Sequence, residues 1–474
     1  MKSSVTQLVE LAPALAAVLG ADSVHTADAQ LDAYTADTYW PAISARANGT
    51  PLGRPDVVAI PRTEDDVATA LRVAAAYNVP VVAWGGGSGT QGGAVPVHGG
   101  LVIDLRALDQ IIEIDECSMC VTAQAGVNGA ELERALNARG LMLPHYPASS
   151  EWATVGGYVA ARGSGVLSTR YGKIEDLVLS LRVALAGGEL IDTVSVPRHA
   201  VGPELTQLFV GSEGTLGVIT RATLQLVPLP ETRRFAAVAF PSVDAGIHAI
   251  RRALQAGHRP SVVRMYDDVA TRSTFAPVVG EDLRGIYTVL AFEGEEEAAE
   301  LEERRTLAIA AEAGAELLDP ALGQRWWDRR YDFYHPPHQP ELPAIWGTLD
   351  VVARYDRIGA VYDALVTAVR EPYAYTGLEL RMHFSHWYPW GTMIYGRFVV
   401  PDGGPDALAL HDRIWADGMT AALAAGGVMN DYHGVGIKLG PYMRRQHGAA
   451  LDALSRIKAA LDPNGIMNPG KMGL

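Results

Sequence analysis

Glycine is concentrated in a few short segments of this chain. The chain has 49 glycines among 474 residues. The densest run, WGGGSGTQGGAVP at residues 84–96, directly follows the apolar run 79–84, which predicts a buried strand. Glycine tolerates positive φ and brings backbone N–H groups close to a ligand, so consecutive N–H groups can surround an anion. The pattern predicts a phosphate-binding turn at the end of a strand; the alternative is a tight turn without a ligand.

This turn differs from two common nucleotide-binding motifs. A P-loop ends in Gly-Lys-Ser/Thr, which does not follow here. A Rossmann turn opens a helix, whereas Pro96 stands where that helix would begin. Two more glycine-rich segments, at 147–172 and 211–219, extend the pattern over about 130 residues. If the three turns contact one ligand, a dinucleotide suits that length better than a mononucleotide.

Composition argues against several other classes. The chain has 54 acidic and 39 basic residues, a net charge of −15, and nucleic-acid binding draws on clustered Lys and Arg. No run of 18 apolar residues occurs, so we predict no membrane-spanning helix and expect a cytoplasmic protein. Cys117 and Cys120 fall in a turn between two predicted strands, and their spacing is interpreted as incidental. His383 and His386 have no third ligand nearby, so no metal site is predicted.

The order of predicted elements indicates an α+β chain. Residues 1–55 hold a packing helix at 5–19, and residues 55–228 read as an α/β region with a capped helix after Thr63 and a hairpin at Gly187-Gly188. Beyond a proline-containing junction at 228–232, strands and helices alternate from about 235 and again from about 346. This repetition indicates a weak internal duplication of an α+β unit.

Five segments together resemble the flavoprotein family of vanillyl-alcohol oxidase and p-cresol methylhydroxylase. They are the loop 85–93, Thr154-Val-Gly-Gly157, Arg170-Tyr-Gly172, the segment 211–217 and the tail 462–471. The resemblance implies a two-lobed FAD-binding domain of the p-cresol methylhydroxylase type and an α+β cap domain with an antiparallel sheet. We expect the FAD domain within 1–229, the substrate-binding cap at 230–425, and a C-terminal segment at 426–474 that completes the FAD domain and the active site.

The resemblance also implies which residues contact FAD. The first turn has no His or Cys between residues 79 and 97, which favours non-covalent FAD; a link through a cap histidine is the alternative. The implied FAD contacts are Trp84, Gly85, Gly86, Gly87, Ser88, Gly89, Thr90, Gln91 and Gly92; Pro147, Ser149, Thr154, Gly156, Gly157, Gly163, Gly165, Tyr171 and Gly172; Gly214, Gly217, Val218 and Ile219; and Asn468 and Lys471.

Within the family, the cap is similar to alkylglycerone-phosphate synthase and the D-2-hydroxyacid dehydrogenases. The similarity to the synthase lies in residues 385–395 and in His433-Gly-Val-Gly436. The synthase branch has three histidines before Gly-Val-Gly, and only His433 remains here. It also has a phosphate-binding Arg in the segment that reads YHPPHQ at 334–339 here. The metal-binding histidines around Gly-Asp-Gly-Asn that many hydroxyacid dehydrogenases carry are missing as well.

Oxidation of an alcohol at flavin N5 requires a base for the hydroxyl proton, and His433 is the first candidate because imidazole titrates near neutral pH. Tyr395 and Tyr432 are candidates to orient the substrate oxygen or relay a proton, and Arg397 shares a strand face with Tyr395. A structural His, core tyrosines and ion-paired arginines are the alternatives. Further candidates for substrate binding in the cap are Arg381, Arg264, Tyr334 and Trp390.

The sequence therefore predicts an FAD-dependent oxidase or dehydrogenase that oxidises a CH–OH group of a small 2-hydroxy acid or aryl alcohol by hydride transfer to flavin N5. Oxygen or another acceptor would reoxidise the flavin, and a homodimer is one option for assembly. The alternatives are a synthase-like transferase that uses a flavin N5 adduct, and a flavin-binding module without turnover.

Overall fold

The computed structural model describes residues 5–196, 198–332 and 340–474. Its helices are Val5–Leu19 (α1), Asp28–Asp32 (α2), Trp40–Ala47 (α3), Glu64–Ala76 (α4), Gly129–Asn137 (α5), Val155–Ala160 (α6), Ser168–Tyr171 (α7), Ile174–Leu177 (α8), Thr206–Phe209 (α9), Val243–Gln255 (α10), Asp268–Ala270 (α11), Ala276–Val279 (α12), Glu296–Glu312 (α13), Ala321–Arg329 (α14), Ile358–Leu365 (α15), Ala407–Ala424 (α16), Met443–His447 (α17) and Ala450–Leu461 (α18).

The strands form four sheets. They are Val24–His25 (β1), Val57–Ala59 (β2), Val81–Trp84 (β3), Leu101–Asp104 (β4), Ile111–Asp115 (β5), Cys120–Gln124 (β6), Leu141–Met142 (β7), Val178–Ala184 (β8), Leu190–Asp192 (β9), Val218–Gln225 (β10), Val227–Pro228 (β11), Thr232–Phe240 (β12), Val262–Tyr266 (β13), Ile286–Gly294 (β14), Glu316–Leu317 (β15), Ile345–Arg354 (β16), Glu379–Tyr388 (β17), Gly391–Val400 (β18) and Val428–Met429 (β19).

Two sheets carry the glycine-rich turns. The first has the order β1-β2-β4-β3, and its strands β2, β4 and β3 are parallel. The second has the order β5-β6-β10-β8-β9 and is antiparallel. The first turn follows β3, and the third turn precedes β10. Each of these two turns therefore adjoins a strand whose apolar residues lie in the core, and this strand fixes the position of the turn.

An eight-stranded antiparallel sheet, here called the cap sheet, has the order β15-β12-β14-β13-β17-β18-β16-β19. The order is symmetric about the β13–β17 junction. Each half has the chain order β-α-β-β-α-β, with α10 and α13 in the first half and α15 and α16 in the second. The strand order confirms the predicted internal duplication of an α+β unit.

The tail of the chain returns to the first sheet. The Val81 N–H donates to the Ile466 carbonyl at 2.8 Å, and the Asn468 N–H donates to the Val81 carbonyl at 2.7 Å. The tail thereby lies beside β3, the strand that leads into the first glycine turn. The exact domain limits at 229 and 425 stay a prediction.

Most of the predicted elements are confirmed. The N-cap at Thr63 is a full capping box with Asp66, and the Gly187-Gly188 turn joins β8 to β9. Asn128 also caps its helix, by accepting from the N–H groups of Ala130 and Glu131. The short helices α6–α9 were not predicted, because segments of four to six residues carry too little periodicity to be recognised. Among the described residues, no helix is both long and apolar enough to cross a membrane.

Candidate active site

A cavity of about 680 Å³ lies between the three glycine-rich turns and the cap sheet. Its wall combines segments from the N-terminal region, the turns, the strands β16 and β18, and the C-terminal segment. The predicted site residues that line it are Trp84, Gly85, Gly86, Gly87, Ser88, Gly89, Thr90, Gln91, Pro147, Ser149, Thr154, Gly156, Gly157, Gly163, Gly214, Gly217, Val218, Ile219, Tyr395, Arg397, Tyr432 and His433. The structure thus brings the three distant turns and the catalytic candidates to one space.

The first turn offers unused donors to this cavity. Among the residues that the structure describes, no backbone N–H from Gly86 to Gly93 donates to a backbone carbonyl. The Thr90 hydroxyl and the Gln91 amide oxygen are buried and have no hydrogen-bond partner among the described residues. Buried polar groups are almost always hydrogen-bonded in folded proteins. A run of free N–H groups beside such side chains fits a pyrophosphate, which accepts hydrogen bonds from consecutive N–H groups.

Close packing explains why this turn needs glycine. A Cβ at Gly86 would lie 1.8 Å from the Trp152 carbonyl oxygen, and one at Gly85 would lie 2.5 Å from the Thr154 hydroxyl. The first and second turns therefore touch each other through backbone that has no room for a side chain. Thr154 also caps α6 by accepting from the Gly157 N–H, which positions the second turn against the cavity.

The loop that carries His433 is held by the third turn. The Glu213 carboxylate accepts hydrogen bonds from the N–H groups of Val435 and Gly436. Burial raises the pKa of Glu213 to about 7, and these two hydrogen bonds partly offset the effect. A Cβ at Gly436 would lie 2.1 Å from the Gln91 carbonyl oxygen, so the loop also packs directly on the first turn.

Two predicted residues of the tail brace the turns from outside the cavity. Lys471 is fully buried, and its ammonium donates to the Val95 carbonyl at 2.7 Å. Asn468 donates to the carbonyls of Gly93 and Glu213, at 3.0 and 2.7 Å. Burial lowers the pKa of Lys471 to about 8, although the nearby carboxylates of Asp37 and Glu213 favour its charge. The tail therefore joins the first turn to the third.

His433 is paired with a carboxylate that the sequence analysis did not select. Its Nδ1 is hydrogen-bonded to the Asp350 carboxylate, and Asp350 is 2 % exposed. The Asn430 side chain accepts from the His433 N–H at 3.0 Å and fixes the backbone of the loop. Because Nδ1 is bound to Asp350, Nε2 is the ring nitrogen left for a ligand in the cavity.

Tyr395 and Tyr432 lie beside this histidine. Tyr395 faces Asp350 across β16 and β18, and its ring centroid is 5.8 Å from that of His433. The rings of Tyr395 and Tyr432 stack with their centroids 6.4 Å apart. The His383 ring also stacks on Tyr395, with a centroid distance of 4.7 Å. The aromatic rings thus limit how His433 and a bound substrate can be arranged.

A second histidine–carboxylate pair lies close by but away from the cavity wall. His386 is 2 % exposed, and its Nδ1 is 3.1 Å from the Asp431 carboxylate. Lys173 lies 3.7 Å from the same carboxylate, and the Tyr388 hydroxyl donates to it at 3.3 Å. Burial is the main cause that lowers the pKa of His386. This pair is enclosed by protein side chains, whereas His433 lines the cavity.

Several predicted residues lie outside the cavity wall. Arg381 forms an ion pair with Glu379 at 2.7 Å, Trp390 is 69 % exposed, and Arg264 packs over the Trp326 ring. Tyr334 falls outside the described residues. Gly92, Gly165, Tyr171 and Gly172 belong to the turns but do not line the cavity. Individual site roles therefore stay predictions.

The sequence analysis missed other residues that line the cavity. His145 is buried, and neither ring nitrogen has a hydrogen-bond partner in the described part of the chain. Burial lowers its pKa to about 3, which keeps the ring neutral. Successive side chains of a strand point to opposite faces, so the alternation of residue types along 346–353 could have predicted which residues of β16 face the cavity. The wall residues that were not predicted include Asp37, Trp40, His145, Ser164, Thr348, His411 and Lys438.

Comparisons with known proteins agree with this geometry. Two family models match the chain: an FAD binding domain over residues 55–194, and the C-terminal domain of FAD linked oxidases over residues 229–472. The chain therefore belongs to the FAD-linked oxidase family. This match confirms the resemblance stated from the glycine turns, the predicted enzyme class and the FAD cofactor.

Similar proteins span nearly the whole chain. An alkyldihydroxyacetonephosphate synthase of Trypanosoma brucei brucei is 28% identical, over 88% of this chain and 73% of the synthase. The glycolate oxidase subunit GlcD of Bacillus subtilis is also 28% identical, over 88% of this chain and 89% of that subunit. A solved p-cresol methylhydroxylase with substrate bound has a TM-score of 0.78 at 19% identity, and the match covers 99% of this chain and 98% of that one. The last similarity confirms the predicted α+β fold.

The residues present fit FAD. The free N–H groups of the first turn and the orphaned polar atoms of Thr90 and Gln91 suit the pyrophosphate. The cavity continues from there to His433 and the cap sheet, where the reactive ring system would meet a substrate. Among the described residues, no group of three or more His, Cys, Asp or Glu side chains could hold a metal ion.

Proposed function

We propose that this FAD-linked oxidoreductase oxidises a CH–OH group of a small substrate and that His433 removes the hydroxyl proton. When bound, FAD supplies the acceptor for the hydride that leaves the carbon. The observation that carries the proposal is the His433–Asp350 pair, because it is a carboxylate-oriented imidazole on the wall of the FAD cavity.

Asp350 has two effects on His433. Its hydrogen bond to Nδ1 fixes the ring so that the unprotonated Nε2 is the nitrogen that accepts a proton. Its negative charge then stabilises the imidazolium that forms. Asp350 does not line the cavity, so it acts through His433 rather than on the substrate.

Tyr395 and Tyr432 are proposed to orient the hydroxyl group. Both line the cavity within ring contact of His433, at centroid distances of 5.8 and 4.0 Å. An oriented donor near the reacting oxygen raises the fraction of substrate in a reactive geometry. Arg397 lies two residues further along β18 on the same strand face as Tyr395, so it lines the cavity beside this set.

The experiment is an anaerobic screen with the FAD-loaded protein. Hydroxy acids and aryl alcohols are mixed with it, and bleaching of the visible flavin absorbance is followed together with the oxidised product. The proposal expects at least one donor to bleach the flavin and to yield a stoichiometric carbonyl product. Bleaching by no donor in either class would contradict it.

A synthase-like transferase is the second candidate, favoured by the similarity to the Trypanosoma synthase over 88% of this chain. The same reaction mixtures separate the two. The transferase exchanges an acyl group for an alkyl group without net oxidation, so it leaves the flavin oxidised at completion. The described part of the site also supplies no synthase-like histidine triplet, because Asp431 and Tyr432 precede His433.

We further propose that FAD is bound non-covalently. No His or Cys lies in the first turn, and that turn is the part of the cavity with the most free donors. Acid precipitation of the yellow protein tests this: release of the flavin into the supernatant supports the proposal, and flavin that stays with the precipitate contradicts it.

A further inference from the structure

One face of the cap sheet presents a regular series of side chains to the cavity. Across β16 and β18, Asp350 is paired with Tyr395, and Thr348 is paired with Arg397. Residues on one face of a strand repeat about every 7 Å. The Asp350–Tyr395 pair, which carries His433 through its bond to Asp350, and the Thr348–Arg397 pair are therefore about 7 Å apart along the sheet.

The Thr348–Arg397 position has two unused side-chain donors and a buried cation beside them. Arg397 lines the cavity half-buried, and it has no hydrogen bond or ion pair with any residue in the described ranges. Lys438 is 8 % exposed, and its ammonium donates to the Thr348 carbonyl at 3.1 Å. The Thr348 hydroxyl is itself more than nine-tenths buried, lines the cavity and has no partner among the described residues.

The neighbouring acidic groups favour the charged form of Lys438, but each is hydrogen-bonded to another residue. Asp350 is bound to His433, and Asp412 is bound to His411 with a side chain that is 63 % exposed. Neither carboxylate forms an ion pair with Lys438 within the described ranges. Two cationic side chains on one cavity wall, neither of them ion-paired within the described ranges, are suited to bind an anion.

An aromatic wall adjoins the same position. Trp346 is the next residue of β16 on this face, and the Trp40 ring lies 6.4 Å from it in a T-shaped arrangement. The His411 ring stacks on Trp40 at 5.0 Å. These rings give an apolar surface beside the two cations, which suits an anionic substrate with an apolar body.

We propose that Arg397, Lys438 and the Thr348 hydroxyl bind an anionic group of the substrate, about 7 Å from the carbon that is oxidised. The substrate class is therefore an alcohol whose CH–OH group is separated from a carboxylate or phosphate by an aromatic ring or a chain of similar length. A 2-hydroxy acid with a single carboxylate does not span this distance, because its hydroxyl and carboxylate lie on adjacent carbons. The inference rests on the proposed function and deepens it.

The first test compares three donors that differ only in the anion: 4-(hydroxymethyl)benzoate, mandelate and benzyl alcohol. We expect the donor concentration that half-saturates the rate of anaerobic flavin reduction, reported as KM, to be about tenfold or more lower for 4-(hydroxymethyl)benzoate than for benzyl alcohol. A tenfold difference is the lower end of what charge-assisted hydrogen bonds contribute. We expect no such advantage for mandelate. Equal KM values for the first and third donors, or a lower value for mandelate, would overturn the inference.

The second test measures binding without turnover. Benzoate and phenylphosphonate are titrated calorimetrically into the oxidised holoprotein, which distinguishes a carboxylate site from a phosphate site. Arg397→Met and Lys438→Met should each weaken the preferred anion by about 10- to 100-fold, and Arg397→Lys should recover part of the loss. Arg354→Met is the matched control, since Arg354 ends β16, the strand paired with that of Arg397, is 74 % exposed and pairs with Asp356.

The affinity should also depend on pH. Burial lowers the pKa of Lys438 to about 7. The charged and titratable groups that act on it are Asp350 on β16 and His411 and Asp412 on α16, and its ammonium lies 4.8 Å over the Trp415 ring. Affinity for the anion should fall as pH rises from below 7 to above it, because Lys438 loses its charge, and the Lys438→Met variant should lose that dependence.

The outcomes separate this inference from the proposed function. If a donor bleaches the flavin but the arginine and lysine variants bind both anions like the wild type, the anion site is wrong and the oxidation stands. If benzoate or phenylphosphonate binds in a manner that needs Arg397 and Lys438 but no donor bleaches the flavin, the anion site stands and the oxidation is wrong. FAD content confirms in each variant that the protein is folded.

Discussion

Two histidine–carboxylate pairs lie within one aromatic cluster, and their surroundings differ. His433 and Asp350 pair on the cavity wall, and His386 and Asp431 pair behind it. Tyr432 lies between them, with ring centroids 4.0 Å from His433 and 5.0 Å from His386. The pairing chemistry is the same, so access to the cavity, and not the carboxylate partner, distinguishes a candidate base from a structural group.

In the buried pair, the Asp431 carboxylate is part of a network of hydrogen bonds and charges. Asp431 is surrounded by donors from His386, Lys173 and Tyr388, and these lower its pKa against the effect of burial. Such a network holds β17, α8 and the C-terminal segment together. The His433 ring has no comparable set of partners within the described ranges, where its hydrogen bond is the one from Nδ1 to Asp350.

The largest effect is expected when His433 is changed. In the FAD-loaded His433→Ala variant, the rate constant for flavin reduction should fall by about 10²- to 10⁴-fold, the usual contribution of a general base. Stopped-flow absorbance under anaerobic conditions measures it. His447→Ala, at an exposed histidine of α17, is the control and should react like the wild type.

The next effect concerns the partner of the base. Asp350→Asn keeps the size of the side chain but removes the charge that stabilises protonated His433. We expect the rate constant to fall by roughly 10²-fold, with FAD content unchanged. An undiminished rate would show that the carboxylate is not needed and would remove the distinction drawn for this pair.

A third prediction tests how the loop of His433 is placed. Gly436 has φ of 53°, and a Cβ there would lie 2.1 Å from the Gln91 carbonyl oxygen. Gly436→Ala should displace the loop and slow flavin reduction about tenfold, because small misplacements of catalytic groups are costly. Gly448 has the same φ with open space around it, so Gly448→Ala carries the backbone strain without the clash and should keep the wild-type rate.

The smallest kinetic effect is expected for the buried pair. His386→Gln should change the rate constant by less than about threefold and lower the free energy of unfolding by about 1–3 kcal/mol, since Asp431 loses a buried hydrogen bond. Denaturant unfolding of the apoprotein and stopped-flow reduction of the holoprotein give the two values. A rate loss equal to that of His433→Ala would reverse the assignment of the two pairs.

The parts of the site that the sequence predicted are local in the chain. The first turn combines a strand end, consecutive glycines and hydroxyl side chains within residues 84–93, so its geometry follows from adjacent residues. His433 was selected for a similar reason, because its chemistry and its Gly-Val-Gly context stand together. The internal duplication of the cap followed from two similar alternations of predicted strands and helices, whereas its strand order was not predicted.

The missed parts depend on distant residues that meet only after folding. Asp350 lies 83 residues before His433, in a strand whose apolar neighbours suggest only a core segment. Lys438 and Thr348 are likewise joined by a contact across 90 residues. Arg381 and Arg397 look equivalent in sequence, yet Arg381 is paired with Glu379 and Arg397 faces the cavity. Pairing partners of this kind cannot be read from composition or spacing.

The most direct test of the account is anaerobic flavin reduction by the FAD-loaded His433→Ala variant with and without added imidazole. We predict a slow reaction that accelerates with imidazole concentration, because the free base replaces the missing ring in the cavity, while the wild type does not respond. A His433→Ala holoprotein that reduces its flavin at the wild-type rate without imidazole would contradict the assignment of His433 as the base.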